Sequence, residues 1–142
     1  MIVRRYQDLE CWRLAVQVKR EVYAIICRPN VAADFKFCDQ IRDSARSGPS
    51  NIAEGFGRYK PPQFRQFLDI AIASLTETAN HLRDGVDRRH FTAQAIQPLL
   101  PLAARARGAA IGLKAYLKDA KPPEPRRRRR PRKPQAPPNQ RT

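Results

Sequence analysis

The chain has 142 residues, 42% of them hydrophobic, which suffices for one domain with one hydrophobic core. Its formal net charge of +15 is unusual, and residues 121–142 contribute +8 of it through nine Lys or Arg against one acid, so residues 1–120 carry the remaining +7. A positive field favours nucleic acid first, and an acidic membrane surface or acidic protein second. No apolar run approaches the roughly 18 residues of a membrane span, so nothing is expected to cross a membrane. Nucleic acid is the expected partner, and a membrane is not.

The three cysteines, Cys11, Cys27 and Cys38, are widely spaced and form no C-x-x-C pair. His81 and His90 do not stand at metal-ligand spacing with them. We therefore expect reduced thiols in a cytoplasmic protein, with no metal and no cofactor. The first residues lack the apolar core of a signal peptide, which agrees with a cytoplasmic location.

The first helix is predicted to begin at Asp8, whose carboxylate suits a cap, and to end before Pro29. Trp12 lies in its apolar stripe, where we expect it to pack in the core or between subunits. The stripe recurs at helical spacing and comprises Leu9, Trp12, Ala15, Val16, Val22, Tyr23 and Ile26.

The second helix is predicted to follow a connection over residues 30–34, with Asp34 as its cap. Pro49 falls inside its apolar pattern, so we expect either a kink or a freed carbonyl that finds another donor. Small residues around Pro49 would let another helix approach closely.

The stretch Ser50–Arg58 is predicted to contain the end of this helix and a turn. Gly55 and Gly57 are expected to close the helix in the left-handed conformation that glycine tolerates. Asn51 and Glu54 are three apart and share one side of the helix. We expect them to satisfy polar groups near the turn or to tie subunits together.

The third helix is predicted to run from Pro61 to Asp84 and to end at Gly85. Ile70, Ile72 and Ala73 widen its apolar surface, which suggests a second buried face. The basic cluster from Arg83 to His90 opposes the negative end of the helix dipole, although a phosphate contact is an alternative role.

Thr92 is expected to cap the fourth helix, in which Pro98 and Pro101 predict a kink or a delayed start. Gly108 and Gly112 are four apart and would allow close packing.

Four helices with short connections and no strand-like alternation predict an all-α fold. We expect an up-down-up-down antiparallel four-helix bundle over residues 1–120. Residues 121–142 hold seven prolines and five consecutive arginines, so a disordered basic Pro/Arg-rich tail is expected there.

Three segments resemble a known four-helix bundle family, whose founding members are encoded in intervening sequences of bacterial 23S ribosomal RNA genes. Residues 6–12, YQDLECW, resemble its opening DLEVW, and residues 40–45, QIRDSA, resemble its QIRRAA segment. Residues 47–58, SGPSNIAEGFGR, are similar to its signature SIPSNIAEGxGR. The structural signature that the resemblance assigns comprises Asp8, Leu9, Trp12, Gln40, Ile41, Pro49, Ser50, Asn51, Glu54, Gly55 and Gly57.

The resemblance implies a bundle that assembles into a ring-like homo-oligomer, often a pentamer. It also implies a relationship to the accessory proteins of diversity-generating retroelements, which bind RNA and a reverse transcriptase through basic surfaces. The chain departs from the family pattern at Asp43, Gly48 and Thr76, and through Pro98 and Pro101.

The leading functional hypothesis is a non-enzymatic, oligomeric protein that binds nucleic acid, RNA rather than DNA. The alternative is a protein-interaction scaffold or an accessory subunit, for example of a reverse transcriptase. An enzyme is disfavoured, because Gly55-x-Gly57 lacks the ending of a phosphate loop and no catalytic constellation is evident. The residues expected to contact phosphates are Arg42, Arg46, Arg58, Lys60, Arg65, Arg126, Arg127, Arg128, Arg129 and Arg130.

Overall fold

A computed structural model describes residues 3–58 and 60–120 of the chain. Over these residues the structure is all-α, with a 3₁₀ turn at Tyr6–Asp8 and no strand. The tail predicted over residues 121–142 lies outside the described residues, so its disorder and the domain boundary stay predictions. The helices are α1 (Glu10–Ile26), α2 (Pro29–Ala32), α3 (Phe35–Gly57), α4 (Pro61–Asp87), α5 (Ala93–Ile96) and α6 (Leu99–Lys118).

The four long helices each pack against two neighbours: α1 against α3 and α6, and α4 against α3 and α6. Hydrogen bonds join Ser44 to Thr78, and Ser47 to Ser74, so α3 and α4 run in opposite directions. An ion pair of 2.5 Å joins Asp69 on α4 to Lys114 on α6. These contacts enclose one continuous hydrophobic core.

The core is built from the residues that point inward at helical spacing. Ile41 and Ile52 of α3, with Leu68 and Leu75 of α4, are almost completely inaccessible to solvent. Burying one such side chain contributes about 1.5–3 kcal/mol, so these positions dominate the stability of the bundle. No helix of the described residues is long and apolar enough to cross a membrane.

The predicted start of the first helix was wrong, whereas its predicted end before Pro29 is confirmed, since α1 stops at Ile26. Asp8 closes the 3₁₀ turn instead of capping α1, whose cap position is Leu9 without a side-chain bond. The Asp8 carboxylate pairs instead with Arg5 at 3.2 Å and Arg13 at 3.6 Å. Pro29 begins the short helix α2, where its missing N–H costs nothing, so the expected connection is partly helical.

The prediction that Gly55 and Gly57 form a left-handed turn was also wrong. Both residues lie inside α3, and no described glycine has a positive φ. Gly55 is required for a different reason, since a Cβ there would lie 2.6 Å from Cδ2 of Phe64 and 2.8 Å from Cβ of Phe67. The missing side chain therefore allows the first turns of α4 to approach α3.

Gly85 does not end the third long helix, because α4 continues to Asp87. The ring of Phe91 packs against α4 at Gly85 and fills the space that a side chain there would need. The left-handed residue is Arg89, with a φ of 63°. The amides of His90 and Phe91 then donate to the Gly85 carbonyl, which completes the helix end.

The predicted cap at Asp34 is confirmed. Its carboxylate accepts from the Phe37 amide at 3.3 Å and lies 2.8 Å from Nε2 of His90 and 3.3 Å from Arg88. The pKa of Asp34 is lowered, most by the hydrogen bond with His90 and next by the hydrogen bond from the Phe37 amide. The start of α3 is thereby tied to the end of α4 across 54 to 56 residues of sequence.

The fourth long helix starts late, as predicted. The Thr92 side chain accepts from the Ala95 amide at 3.0 Å and so caps only the short helix α5. Pro98 occupies the cap position of α6, and Pro101 lies in its first turn. A proline there removes only an amide that has no partner within the helix.

We predict that Gly55→Ala destabilises the protein although alanine is the better helix former. The new Cβ would force the Phe64 ring and the Phe67 Cβ away, at a cost typical of overpacking, about 1–3 kcal/mol. Urea unfolding measures this change. Gly57→Ala is the matched control, because nothing lies within 4 Å of a Cβ there and its stability should be unchanged or slightly higher. Equal stability of both variants would contradict the close approach at Gly55.

Candidate nucleic-acid interface

The signature residues of α3 divide between the core and the surface. Ile41, Pro49 and Gly55 are buried, whereas Gln40 and Ser50 are exposed. Glu54 and Gly57 are exposed as well, and Asn51 is half-buried. On α1, Leu9 is buried and Trp12 is half-buried against the Tyr6 ring, with centroids 5.3 Å apart. The helical fold of one chain accounts for the buried positions but not for the exposed ones.

A row of hydroxyl groups joins α3 to α4, and we call it the hydroxyl ladder. Thr78 donates to Ser44 at 3.0 Å, and Ser74 donates to Ser47 at 2.7 Å. Asn51 extends the row by donating to the Ser47 carbonyl at 2.8 Å and to its hydroxyl at 2.9 Å. Asn51 therefore holds the Ser47 hydroxyl that accepts from Ser74 across the two helices.

The arginines that were expected to contact phosphates on α3 are already paired with acids of the same helix. Arg42 lies 2.8 Å from Asp39, and Arg46 lies 3.3 Å from Asp43. All four side chains are well exposed, so each pair is worth less than about 1 kcal/mol and competes weakly with other partners. The exposed face of α3 nevertheless carries alternating positive and negative charges and is not a basic surface.

The other expected contacts lie at one end of the bundle, which we call the basic end. There α3 ends just before Arg58, α4 begins after Lys60 with Arg65 in its second turn, and α6 ends at Lys118. Arg58 is held by Glu54 at 2.7 Å, and its guanidinium lies 5.3 Å from the centre of the Phe67 ring. This places Arg58 and Lys60 at the end of the bundle from which residues 121–142 continue. Arg126 to Arg130 belong to that segment, outside the described residues.

Arg42 and Arg46 do not belong to this end. They stand sixteen and twelve residues before Arg58 on the same helix, which corresponds to roughly 24 and 18 Å along its axis. The five predicted contacts of the bundle therefore form two groups instead of one surface.

Cysteine chemistry contributes little to this surface. Cys11 and Cys38 are buried and free, and Cys27 is exposed and free. Burial raises the pKa of Cys11 to about 11, and it also raises the pKa of Cys38. Across residues 3–58 and 60–120, no three His, Cys, Asp or Glu side chains are grouped so that they would hold a metal ion.

The sequence pattern of one protein family matches residues 7–109, which include the signature of α3 and the hydroxyl ladder. The chain belongs to the 23S rRNA-intervening sequence protein family. The resemblance inferred from the three short segments is thereby confirmed. A comparison with curated proteins gives no significant match.

The family match ends within α6, so it leaves out the last turns of that helix and the basic segment after it. The basic end therefore combines family positions, such as Arg58, with positions outside the match, such as Lys118. In this member of the 23S rRNA-intervening sequence protein family, much of the positive charge lies outside the matched region.

We predict different effects for two signature residues that share one side of α3. Asn51→Ala removes two hydrogen bonds of the hydroxyl ladder and should lower the free energy of unfolding by about 1–2 kcal/mol. Glu54→Ala removes only an exposed ion pair with Arg58 and should cost at most about 0.5 kcal/mol. Chemical denaturation at a protein concentration that keeps one oligomeric state measures both. A larger loss for Glu54→Ala would show that its carboxylate has a structural partner that one chain does not provide.

Proposed function

We propose that this up-down-up-down bundle is a non-enzymatic, oligomeric protein that binds nucleic acid through its basic end and the arginine-rich segment that follows. The observation that carries the proposal is the placement of Arg58, Lys60 and Lys118 at the end of the bundle where residues 121–142 begin. Charges that converge at one end act together on one polyanion, whereas scattered charges do not. We favour RNA over DNA because of the resemblance to retroelement accessory proteins.

Self-association is the second part of the proposal, and α6 supports it. Ile111 is 45% exposed and Tyr116 is 73% exposed. Gly108 and Gly112 on the same helix have nothing within 4 Å of a Cβ position, so their small size serves no contact within the chain. We propose that a second copy packs on this surface and that the assembly closes into a ring, for which a pentamer is the expected size. A ring would multiply weak phosphate contacts through avidity.

A cytoplasmic location belongs to the same proposal. Three free cysteines suit a reducing compartment, and nucleic acid would be accessible there.

The alternative is a protein-interaction scaffold or an accessory subunit, for example of a reverse transcriptase. It is favoured by one observation, namely that Arg42, Arg46 and Arg58 are each paired with an acid of α3. The face of α3 between them and Glu54 carries both signs of charge and exposed Ser50, which suits a protein partner better than a phosphate backbone.

Salt-dependent RNA binding tests the nucleic-acid proposal. The full chain should bind a structured RNA at low salt, and Arg58→Gln combined with Lys60→Gln should weaken binding and reduce the slope of log K against log salt by roughly 1.5. Arg28→Gln combined with Lys36→Gln is the matched control, because it removes the same charge from the other end of the bundle. Fluorescence anisotropy at two salt concentrations measures both. Equal loss in the two double variants would contradict a localised interface, and no binding by the full chain would contradict the function.

Light scattering of the full chain tests self-association. Ile111→Glu would bury a charge in the proposed contact on α6, so we expect it to reduce the molar mass to that of one chain. Phe35→Glu is the control, since Phe35 is 77% exposed on another helix and its replacement should leave the mass unchanged. A monomeric unaltered chain, or a mass that Ile111→Glu does not change, would contradict the role of α6.

A further inference from the structure

We infer that an apolar pocket at the basic end binds one unstacked nucleobase of single-stranded RNA, an inference that rests on the function proposed above. The pocket lies where the N-terminal segment, the end of α3, the start of α4 and the end of α6 meet. Its lining residues are Val3, Phe56, Lys60, Pro61, Phe64 and Leu117.

The size and lining of the pocket suit one planar ring system. Its volume is about 180 Å³, which is below the roughly 300 Å³ at which pockets for larger small molecules begin. Phe56 is half-buried, and its ring meets that of Phe64 edge to face, with centroids 6.2 Å apart and planes at 83°. Half-exposed aromatic rings are the surfaces on which proteins stack bases of single strands.

Gly55 and the close approach of α4 create this aromatic pair. A side chain at Gly55 would collide with Phe64 and Phe67, so the glycine holds both rings against the end of α3. The signature glycine thus has a consequence for the surface as well as for the core, because Phe56 follows it directly in sequence.

Positive charge at and next to the lining residues favours an anionic ligand. Lys60 lines it, and Arg4 and Lys118 directly follow the lining residues Val3 and Leu117 in sequence. These three cations are exposed, and within residues 3–58 and 60–120 none of them forms an ion pair. An apolar peptide would gain nothing from them. A nucleotide offers an apolar ring for the pocket and a phosphate for each neighbouring cation.

The pocket should therefore distinguish single-stranded from paired RNA. A base inside a duplex is stacked on both faces and cannot enter a pocket without first being unpaired, which costs free energy. Contacts of the basic end with phosphates alone would not make this distinction.

The test compares two single-stranded probes of equal charge, each about ten nucleotides long. One is an ordinary oligoribonucleotide, and the other is the same ribose–phosphate chain without bases. We expect the full chain to bind the base-bearing probe roughly 5- to 160-fold more tightly, the range for one stacked base. Phe56→Leu keeps an apolar side chain but has no ring. In this variant the ratio of the affinities for the two probes should fall toward the value expected from phosphate contacts alone, at which both probes bind equally well. Phe35→Leu, on the exposed ring at the start of α3, should leave the ratio unchanged.

The outcomes separate the pocket from the proposed function. If both probes bind the unaltered chain equally well, the protein binds RNA but the inference about the pocket is wrong. An equal ratio in the unaltered chain and in folded Phe56→Leu also overturns it, because the bases then contact another part of the chain. If Phe56→Leu changes the molar mass in light scattering but not the ratio, a second copy occupies the pocket and the inference fails. Absence of binding to either probe would instead contradict the function itself.

Discussion

The close contact between α3 and α4 is the constraint on which the rest of the structure depends. Hydrogen bonds between hydroxyl groups fix the register of the two helices, and the buried hydroxyls of Ser44, Ser74 and Thr78 would be costly to leave without a partner. At the end of the same interface, Gly55 lets Phe64 and Phe67 pack against α3. The register of α3 against α4 and the distance between the two helices are thereby set by one interface. The helices α1 and α6 complete the bundle around them.

The same interface explains why one short signature contains both buried and exposed residues. Ile52 and Gly55 face α4 and the core, while Ser50 and Glu54 lie on the opposite side, as the period of the helix requires. Only the buried half is explained by the stability of one chain. In the proposed function, the exposed signature residues of α3 and the exposed surface of α6 contact other molecules. Arg58 follows the exposed signature residues and belongs to the basic end.

The charged residues of this protein are arranged differently on the exposed face of α3 and at the basic end. Along the exposed face of α3, acids three or four residues away pair with each arginine, which leaves little net field. At the basic end, exposed Lys60 and Lys118 adjoin an apolar pocket, and the arginine-rich segment follows. Total charge alone therefore overstates how much of the bundle surface attracts a polyanion.

The sequence by itself determined the fold class, the four long helices, the cap at Asp34 and the family, because apolar periodicity, capping chemistry and short motifs are local properties. Only the tertiary structure decided the role of the glycines. Gly55 and Gly85 were expected at helix ends, yet both lie inside helices. A glycine is needed at each because the rings of Phe64 and Phe91 occupy the space where a side chain would be. Likewise, spacing could not show that Phe56, Lys60 and Leu117 line one pocket, since that depends on which helix ends meet.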